Sequence, residues 1–489
     1  MPYCDERESL GQLKGLTASQ LPVVVDLDHT LVMTDTLHEQ AVAAIFTRPA
    51  GFLRAVVQLY KGRASLKSAL VHEVDVSEIV LPIREDLVKW LHDQANLGRK
   101  IHLCSAASQS VVDVVAARLG IFETAIGSGD VNLKGKAKAE HLVKTFPDGF
   151  VYVGDHRADL LVWEKSSGIV LAGVSSAVGS AARSLNKPIE AVFTNSPLGV
   201  KGLIKALRVH HWSKNVLMFL PLILGHKWFD GPLLVNTLLG FLCLLMVTSS
   251  TYLINDMADL SADRQHWSKR NRALASGRLP IKTGIVLAAV FLCTGLVTAF
   301  LLSPMFLLAL LAYLALTLAY SFGLKRIPLL DVLVIGVLFT TRLIMGIAFI
   351  PEPNPAWLLT FSLFFFFSLA VAKRHTELVR AAISGTHSLK SRGYLVEDAP
   401  LTLTLGIASA IAALLVLVLF IVEEMLPGEM YAHPQMLGGM PIVLSIWIGR
   451  IWLLAHRGQM NDDPVSFALR DRASIGLGLL VTVIFMLAL

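Results

Sequence analysis

The spacing of apolar residues changes character near residue 197 of this 489-residue chain. Before that point, short β-branched runs alternate with amphipathic stretches. LPVVVDLDHT, RKIHLCSAAS and FVYVGDHRAD each read as a buried parallel strand that runs into polar residues, with helix-like VVDVVAARLG between the last two. Strands alternating with helices predict an open α/β sheet, whose ligands bind where the strands end. After residue 205 come nine apolar runs, at 214–229, 231–254, 281–302, 304–322, 329–350, 355–373, 401–423, 437–455 and 472–489. Most approach the roughly 20 residues that span a bilayer as a helix. The first run is short and carries Pro221, so eight crossings is the alternative. Long, basic connections follow the even-numbered runs, whereas HKWFDGP and PEPNPA after odd ones are short. That bias predicts long loops on the cytoplasmic side, separated from the α/β part by an even number of crossings.

Composition agrees with a divided chain. A mean hydropathy of +0.61 is too high for a soluble enzyme, yet residues 20–197 read as one. The expected layout is a tail at 1–19, an α/β domain at 20–197, a basic interfacial linker at 198–213 and a helical membrane domain at 214–489. The first residues, MPYCDERESLGQLKG, lack the apolar core of a secretory signal, so the α/β domain is expected in the cytoplasm and the helices in the inner membrane. Cys4, Cys104, Cys243 and Cys293 have no metal-binding spacing, and neither disulfides nor zinc are expected. A net charge of +6 is modest, and no nucleic-acid partner is expected. Homo-oligomerisation is left open.

The most informative polar stretch is Thr251–Pro280, TYLINDMADLSADRQHWSKRNRALASGRLP, at the end of the second apolar run. On a continuing helix Asp256, Asp259 and Asp263 stand at i, i+3 and i+7, within about 60° of one another. Carboxylates so crowded repel unless cations lie among them, and Mg²⁺ bridging to a diphosphate meets that need. Arg264, Lys269, Arg270 and Arg272 follow and suit the remaining phosphate charge. The plain alternative is a polar loop between two spans. Inside the apolar runs charge is sparse. Arg342 lies mid-run, where it needs a partner such as Asp331 or a polar cavity. Lys214 and Asn215 open the first run, and Lys373, Arg374 and Glu377 leave the sixth, where positive-inside anchoring is the alternative role.

The α/β part carries DxDxT at Asp26–Thr30, a strand-terminal Ser105, a lysine in NLKGKAKAEHLV and GDxxxD at Gly154–Asp159. In this order the motifs resemble the haloacid-dehalogenase (HAD) superfamily of phosphohydrolases. The resemblance implies a Rossmann-like domain in which Asp26 attacks phosphorus and Asp28 protonates the leaving oxygen and then activates water. Thr30, Ser105 and a lysine would hold phosphoryl oxygens. Lys134 is favoured for its place before the glycine and helix, with Lys138 the alternate. Asp26, Asp28 and Asp155, assisted by Asp159, would hold Mg²⁺. Residues 34–80 would form a helical cap, although GFLRAVVQLYKG also suits a membrane surface.

WSKN, NDMADLSAD, YSFGLKR and PLLD, in that order, resemble the UbiA superfamily of intramembrane prenyltransferases, all-helical proteins of about nine spans with Mg²⁺-dependent diphosphate chemistry. The usual first motif, NDxxDxxxD, maps onto Asn255, Asp256, Asp259 and Asp263. These are the implied metal residues, with Asp256 and Asp259 at the reaction. The usual second acidic pair is reduced here to Asp331 beside Lys325 and Arg326. LRxxxWxKN, YSxGLK, AKRHTEL and ALRDR narrow the resemblance to the polyprenyl-phosphate phosphoribosyltransferases. The implied substrates are phosphoribosyl diphosphate and a polyprenyl phosphate among membrane lipids. The implied binding residues are Lys214, Asn215, Arg264, Lys269, Arg270, Tyr320, Lys325, Arg342, Lys373 and Arg374. The whole would then be bifunctional, with one Mg²⁺ site per domain, the HAD-like domain removing the 5-phosphate that the transferase leaves on ribose. The alternative is transfer of a prenyl group from its diphosphate to an aromatic acceptor, with an unrelated or regulatory phosphatase domain.

Overall fold

A computed structural model describes residues 21–129, 132–195, 198–350, 356–389, 392–427, 431–460, 464–468 and 470–489. They form two compact units. One contains the chain up to Ala206 together with Leu253–Val286, and the other contains Leu207–Tyr252 together with Leu287–Leu489. The stretch Thr251–Pro280 thus falls almost wholly within the first unit.

The first unit is built on a six-stranded parallel sheet. Its strands are β1 (Val23–Val25), β2 (Ile101–Ser108), β3 (Thr124–Ser128), β4 (Val151–Gly154), β5 (Gly168–Ala172) and β6 (Ile189–Phe193), in the order β3-β2-β1-β4-β5-β6. Val23, Val24 and Val25 are wholly buried, as expected for β-branched residues in a strand covered on both faces. Leu27, Leu31, Leu87, Leu91 and Leu103 pack one face, and Tyr152, Trp163, Ile169 and Leu171 the other. The sequence runs outward in both directions from β1 and β4, so their C-terminal ends flank the point where strand order reverses. In such sheets this is the natural crevice. The expected helical insertion after β1 is present as Thr36–Thr47, Pro49–Val57 and Arg63–Glu73. One strand differs from expectation. β2 does not stop at Ser105 but continues to Ser108, with irregular pairing to β3 between Cys104 and Ser108.

Among the described residues, seven helical stretches are long and apolar enough to cross a membrane: Gly231–Ala258, Ile281–Leu302, Pro304–Phe322, Leu330–Ile347, Ala356–Ile383, Val396–Met425 and Pro434–His456. The chain is therefore a multi-pass membrane protein. Two of the nine expected runs do not form long helices. Residues 214–229 give 3₁₀ turns over Val209–Phe219 and then only the short helix Leu220–Leu224. Lys214 and Asn215 give that run polar side chains, Pro221 withholds a backbone donor, and Gly225 follows the last turn. The final run forms a 17-residue apolar helix, Arg472–Ala488, below the usual spanning length.

Within the second unit, helices approach closely where small residues allow it. Gly406 offers its carbonyl to the Ser368 hydroxyl (2.8 Å), which accepts in turn from the Trp452 indole N–H (3.1 Å). A Cβ at Gly406 would lie 2.1 Å from the Trp452 ring, whereas one at Gly449 would meet nothing within 4 Å. Gly406→Ala is expected to cost about 1–3 kcal/mol by overpacking, and Gly449→Ala to cost nothing. Thermal unfolding in detergent checks this: the midpoint should fall for the first variant alone.

Candidate functional site

In the α/β unit the site begins where β1 and β4 end side by side. The Asp26 amide still donates to Val153 across the ladder (3.0 Å), fixing where its carboxylate emerges. One oxygen of that carboxylate accepts the Leu27 amide (2.8 Å), and the other pairs with Lys138 Nζ at 2.8 Å. Lys138 comes from the helix Lys136–Thr145, is 2% exposed and also donates to the Tyr152 hydroxyl (2.9 Å). Lys134 is exposed. The lysine against Asp26 is therefore Lys138, not the Lys134 that its place before the glycine favoured.

The Tyr152 hydroxyl donates to Asp159 (3.1 Å), whose other oxygen accepts the amides of Asp155 (3.1 Å) and His156 (2.9 Å). Asp155 accepts from the Thr30 hydroxyl (3.1 Å). Asp28 accepts the Thr36 amide (2.9 Å) at the start of helix Thr36–Thr47. Ser105 is buried within β2, its oxygen accepting from the Ala107 amide at 3.1 Å. Tyr152 was not anticipated. In the alternating run FVYVGD it reads as plain core, and only its hydroxyl, lodged between a lysine and a carboxylate, separates it from the valines.

Asp26, Asp155 and Asp159 form, among the described residues, the only acidic group able to offer ligand atoms within 4.8 Å of one another. Asp28 is not in it. Burial, and then its neighbours Asp159 and Asp26, push the Asp155 carboxyl up to about 8. Burial, and then Asp35, push Asp28 to about 7. Burial opposes the charge on Lys138, but Asp26 and Asp159 outweigh it and raise its pKa. Three carboxylates are thus gathered where the buried lysine pairs directly with Asp26, leaving a deficit of positive charge. These oxygen donors and that deficit fit a divalent cation such as Mg²⁺.

The same unit holds the acidic stretch. The helix ending at Ala258 and the helix Leu260–Gln265 meet at Asp259, where the i→i−4 bonds Asp259 to Asn255 (3.0 Å) and Asp263 to Asp259 (2.8 Å) carry through. Asp256 and Asp263 are joined through Arg272 across this break, while Asp259 is not gathered with both of them within 4.8 Å. Asn255 donates to the Asp259 carboxylate (3.1 Å), while one Arg272 nitrogen reaches both Asp256 (3.2 Å) and Asp263 (2.5 Å). Two carboxylates converging on one guanidinium mark a place that accepts positive charge, so this donor set also fits a cation. Lys269 lies 3.9 Å from Asp263, and Arg270 is exposed. Arg264 points elsewhere, onto Glu39.

In the second unit, Lys214, Asn215 and Arg342 are brought together. Arg342 donates to the Asn215 side chain (2.8 Å), the Tyr313 hydroxyl (3.0 Å) and the Leu338 carbonyl. Its guanidinium and the Lys214 ammonium both lie over the Phe339 ring. The partner suggested for it, Asp331, is engaged by Arg374 instead (2.8 Å) and by the Tyr394 hydroxyl (2.6 Å). Asp331 and Arg374 are 0% and 2% exposed, and Arg374 also bonds Glu377. Tyr320 accepts from Arg392. Lys325 lies in a 3₁₀ turn and Lys373 on the helix Ala356–Ile383, both half-buried.

Residues 216–472 match the UbiA prenyltransferase family. An uncharacterized protein of Sinorhizobium fredii, y4nM, is 44% identical over 96% of this chain and 91% of its own length, so the similarity runs through both units. Nodulation protein NoeC of Azorhizobium caulinodans is 32% identical over 58% of this chain and 92% of its own. The decaprenyl-phosphate phosphoribosyltransferase of Mycobacterium tuberculosis is 33% identical over 41% of this chain and 68% of its own. A chain that matches the family over more than half its length, through the segment that carries the acidic face, belongs to the UbiA prenyltransferase family.

Proposed function

We propose that this protein is a bifunctional inner-membrane enzyme that builds a ribosylated lipid phosphate. In the first step a polyprenyl phosphate oxygen attacks C1 of phosphoribosyl diphosphate, the C1–O bond breaks, and diphosphate leaves. The acceptor is already anionic and needs no general base. The likeness to decaprenyl-phosphate phosphoribosyltransferases supports this donor, and so does the state of Asp331. A prenyl diphosphate donor would call on a second acidic pair, and the lone carboxylate of that region is buried and taken by Arg374 and Tyr394. Asn255, Asp256, Asp259 and Asp263 would hold Mg²⁺ against the leaving diphosphate. Bound there, the ion would supply the charge that lets diphosphate depart.

In the second step the α/β unit, read as a HAD-type phosphatase on the cytoplasmic side, removes the 5-phosphate that the transfer leaves on ribose. One observation carries this reading: Asp26, at the strand-order reversal, is held by buried Lys138 beside Asp155 and Asp159. An Asp26 oxygen attacks phosphorus and forms an acyl phosphate as the ribose oxygen leaves. Asp28, with a pKa raised to about 7, is about half protonated at neutrality and can donate to that oxygen; as the carboxylate it then takes a proton from the water that attacks the acyl phosphate, releasing inorganic phosphate and restoring Asp26. Lys138 neutralises Asp26 and the incoming phosphate, Thr30 steadies Asp155, and Asp155 and Asp26 would hold Mg²⁺.

Purified protein given phosphoribosyl diphosphate and polyprenyl phosphate should release diphosphate, then inorganic phosphate. Asp26→Asn should abolish only the second release and leave a phosphorylated ribosyl lipid visible by mass spectrometry. Unchanged phosphate release in that variant would end the two-step reading. Lys138→Met strands Asp26 and Asp159 without their cation and should cost about 3–5 kcal/mol. Lys134→Met should leave the thermal midpoint unmoved.

Proton linkage gives a further test. Because Asp155 titrates at about 8 when folded and at 3.8 ordinarily, the metal-free fold binds the extra proton between those values. Its contribution to stability is therefore fully present below the ordinary value and lost as pH rises through about 8. Mg²⁺ must displace that proton, so its apparent affinity should fall by up to about tenfold per pH unit below 8. Mg²⁺ should raise the unfolding temperature more at pH 8 than at pH 6, and Asp155→Asn should remove the difference.

A further inference from the structure

Glu39 is a buried carboxylate that neither proposed reaction uses. It lies on the helix Thr36–Thr47, 2% exposed, and takes Arg264 with both oxygens, at 2.6 and 2.9 Å. Arg264 is as fully committed as its partner. Its side chain is 4% exposed, and it also donates to the carbonyls of Val80 (2.6 Å) and Ala275 (2.9 Å). An arginine holding four such bonds inside protein is a strut, not a cation waiting for phosphate.

A second contact, independent of charge, joins the same parts. Gly277, at a φ of +73°, lies so close to the turn after Asp28 that a Cβ there would sit 2.6 Å from the Met33 carbonyl oxygen. The acidic stretch is thus clamped on both sides of Arg272, by Arg264 directly after Asp263 and by Gly277 beyond. The helix Leu260–Gln265 has six residues, too few to hold its shape without tertiary support. The direction in which Asp263 points therefore depends on what Arg264 grips.

We propose that Glu39 is a positioning residue for the transferase reaction. Gripping Arg264, it sets the helix Leu260–Gln265 so that Asp263 and Asp256 converge on one positive charge, now that of Arg272 and, in the reaction, the Mg²⁺–diphosphate of the donor. This rests on the reading of the acidic stretch as the donor site. The transferase then depends on a residue from the insertion that follows β1, some 220 residues earlier in the chain. The helix that carries Glu39 also gives its Thr36 amide to Asp28, so one element touches both proposed chemistries.

The test uses the full chain in lipid nanodiscs, with Glu39→Gln, which keeps the shape but not the charge, and Gly277→Ala, which disturbs the other clamp sterically. Both variants should raise the KM for phosphoribosyl diphosphate and the Mg²⁺ needed for half-maximal rate by roughly tenfold, an ordinary size for coupling between distant groups. The change in kcat should be smaller. By hydrogen exchange, the amides of 260–266 should open faster in both variants. Wild-type KM and Mg²⁺ requirement in Glu39→Gln would overturn the proposal, even if those amides loosen, because the pair would then be structural only. If the wild type itself releases no diphosphate from this donor, the donor reading fails and Glu39 is judged on exchange alone. Protection of 256–272 by Mg²⁺ with inorganic diphosphate should then appear in the wild type and be lost in Glu39→Gln, and its survival there would overturn the proposal.

Discussion

A carboxylate removed from water must have a cation or keep its proton, and that single requirement organises the polar interior of this protein. Asp26, Glu39, Asp256, Asp263 and Asp331 have a cation, whereas Asp28, Asp155 and Asp159 hold their protons more tightly. Lys138 serves Asp26, Arg264 serves Glu39, Arg272 serves Asp256 and Asp263 together, and Arg374 serves Asp331. The desolvation cost of such charges is several kcal/mol each, repaid only when geometry and further hydrogen bonds are good. Where the pairing is complete, as at Asp331, the acid has no capacity left for a ligand. Where acids outnumber cations, as at Asp26, Asp155 and Asp159, the shortfall appears as raised proton affinity. It is there that a bound cation has most to stabilise.

This distinction divides the cations read from sequence into three kinds. Arg264 and Arg374 have the charge and placement of phosphate ligands, yet both are spent on buried carboxylates. Lys269 and Arg270 are exposed beside the acidic stretch. Arg342 is different again, since its partners named above are neutral oxygens and aromatic faces. A guanidinium so held keeps its full charge and contributes to the field of its surroundings without being cancelled.

The legible part of the fold was whatever local pattern dictates. Val23–Val25 followed by Asp26 could be read as a buried strand delivering a polar residue, and the sheet order puts that residue at the switch point. Asp256 and Asp263 could be read as neighbours because helical spacing is local, and Arg272 joins them. What could not be read depends on partners remote in sequence. Arg264 and Glu39 are 225 residues apart, and Arg374 and Asp331 are 43. The choice between Lys134, in the loop before the helix Lys136–Thr145, and Lys138, inside it, turned on which of them reached Asp26 and Tyr152, a matter of packing that spacing leaves open. Residues 214–229 follow the alternative that Pro221 suggests: the run is apolar, but Lys214, Asn215 and Pro221 interrupt the helical ladder.

Backbone strain sharpens the contrast between the two kinds of acid. Leu329, a non-glycine residue, holds a φ of +66° two residues before Asp331. Its amide donates to the Tyr394 hydroxyl (2.8 Å), which donates in turn to Asp331 (2.6 Å). A left-handed leucine is costly and persists only where its surroundings over-determine it. The Asp331 network does so, with Arg374 completing the charge. An acid held by an arginine and by a tyrosine that is itself tied to the neighbouring backbone is part of the scaffold, whatever its place in the family's motif. Asp256 and Asp263 share one arginine that is 29% exposed, and Lys269, itself exposed, lies 3.9 Å from Asp263. The same residue type, bordering apolar helices in both places, is thus fixed in one and exchangeable in the other. The difference lies in how far each set of partners is shut off from water, 2% exposure for Arg374 against 29% for Arg272, and that is a property of the fold that no motif records.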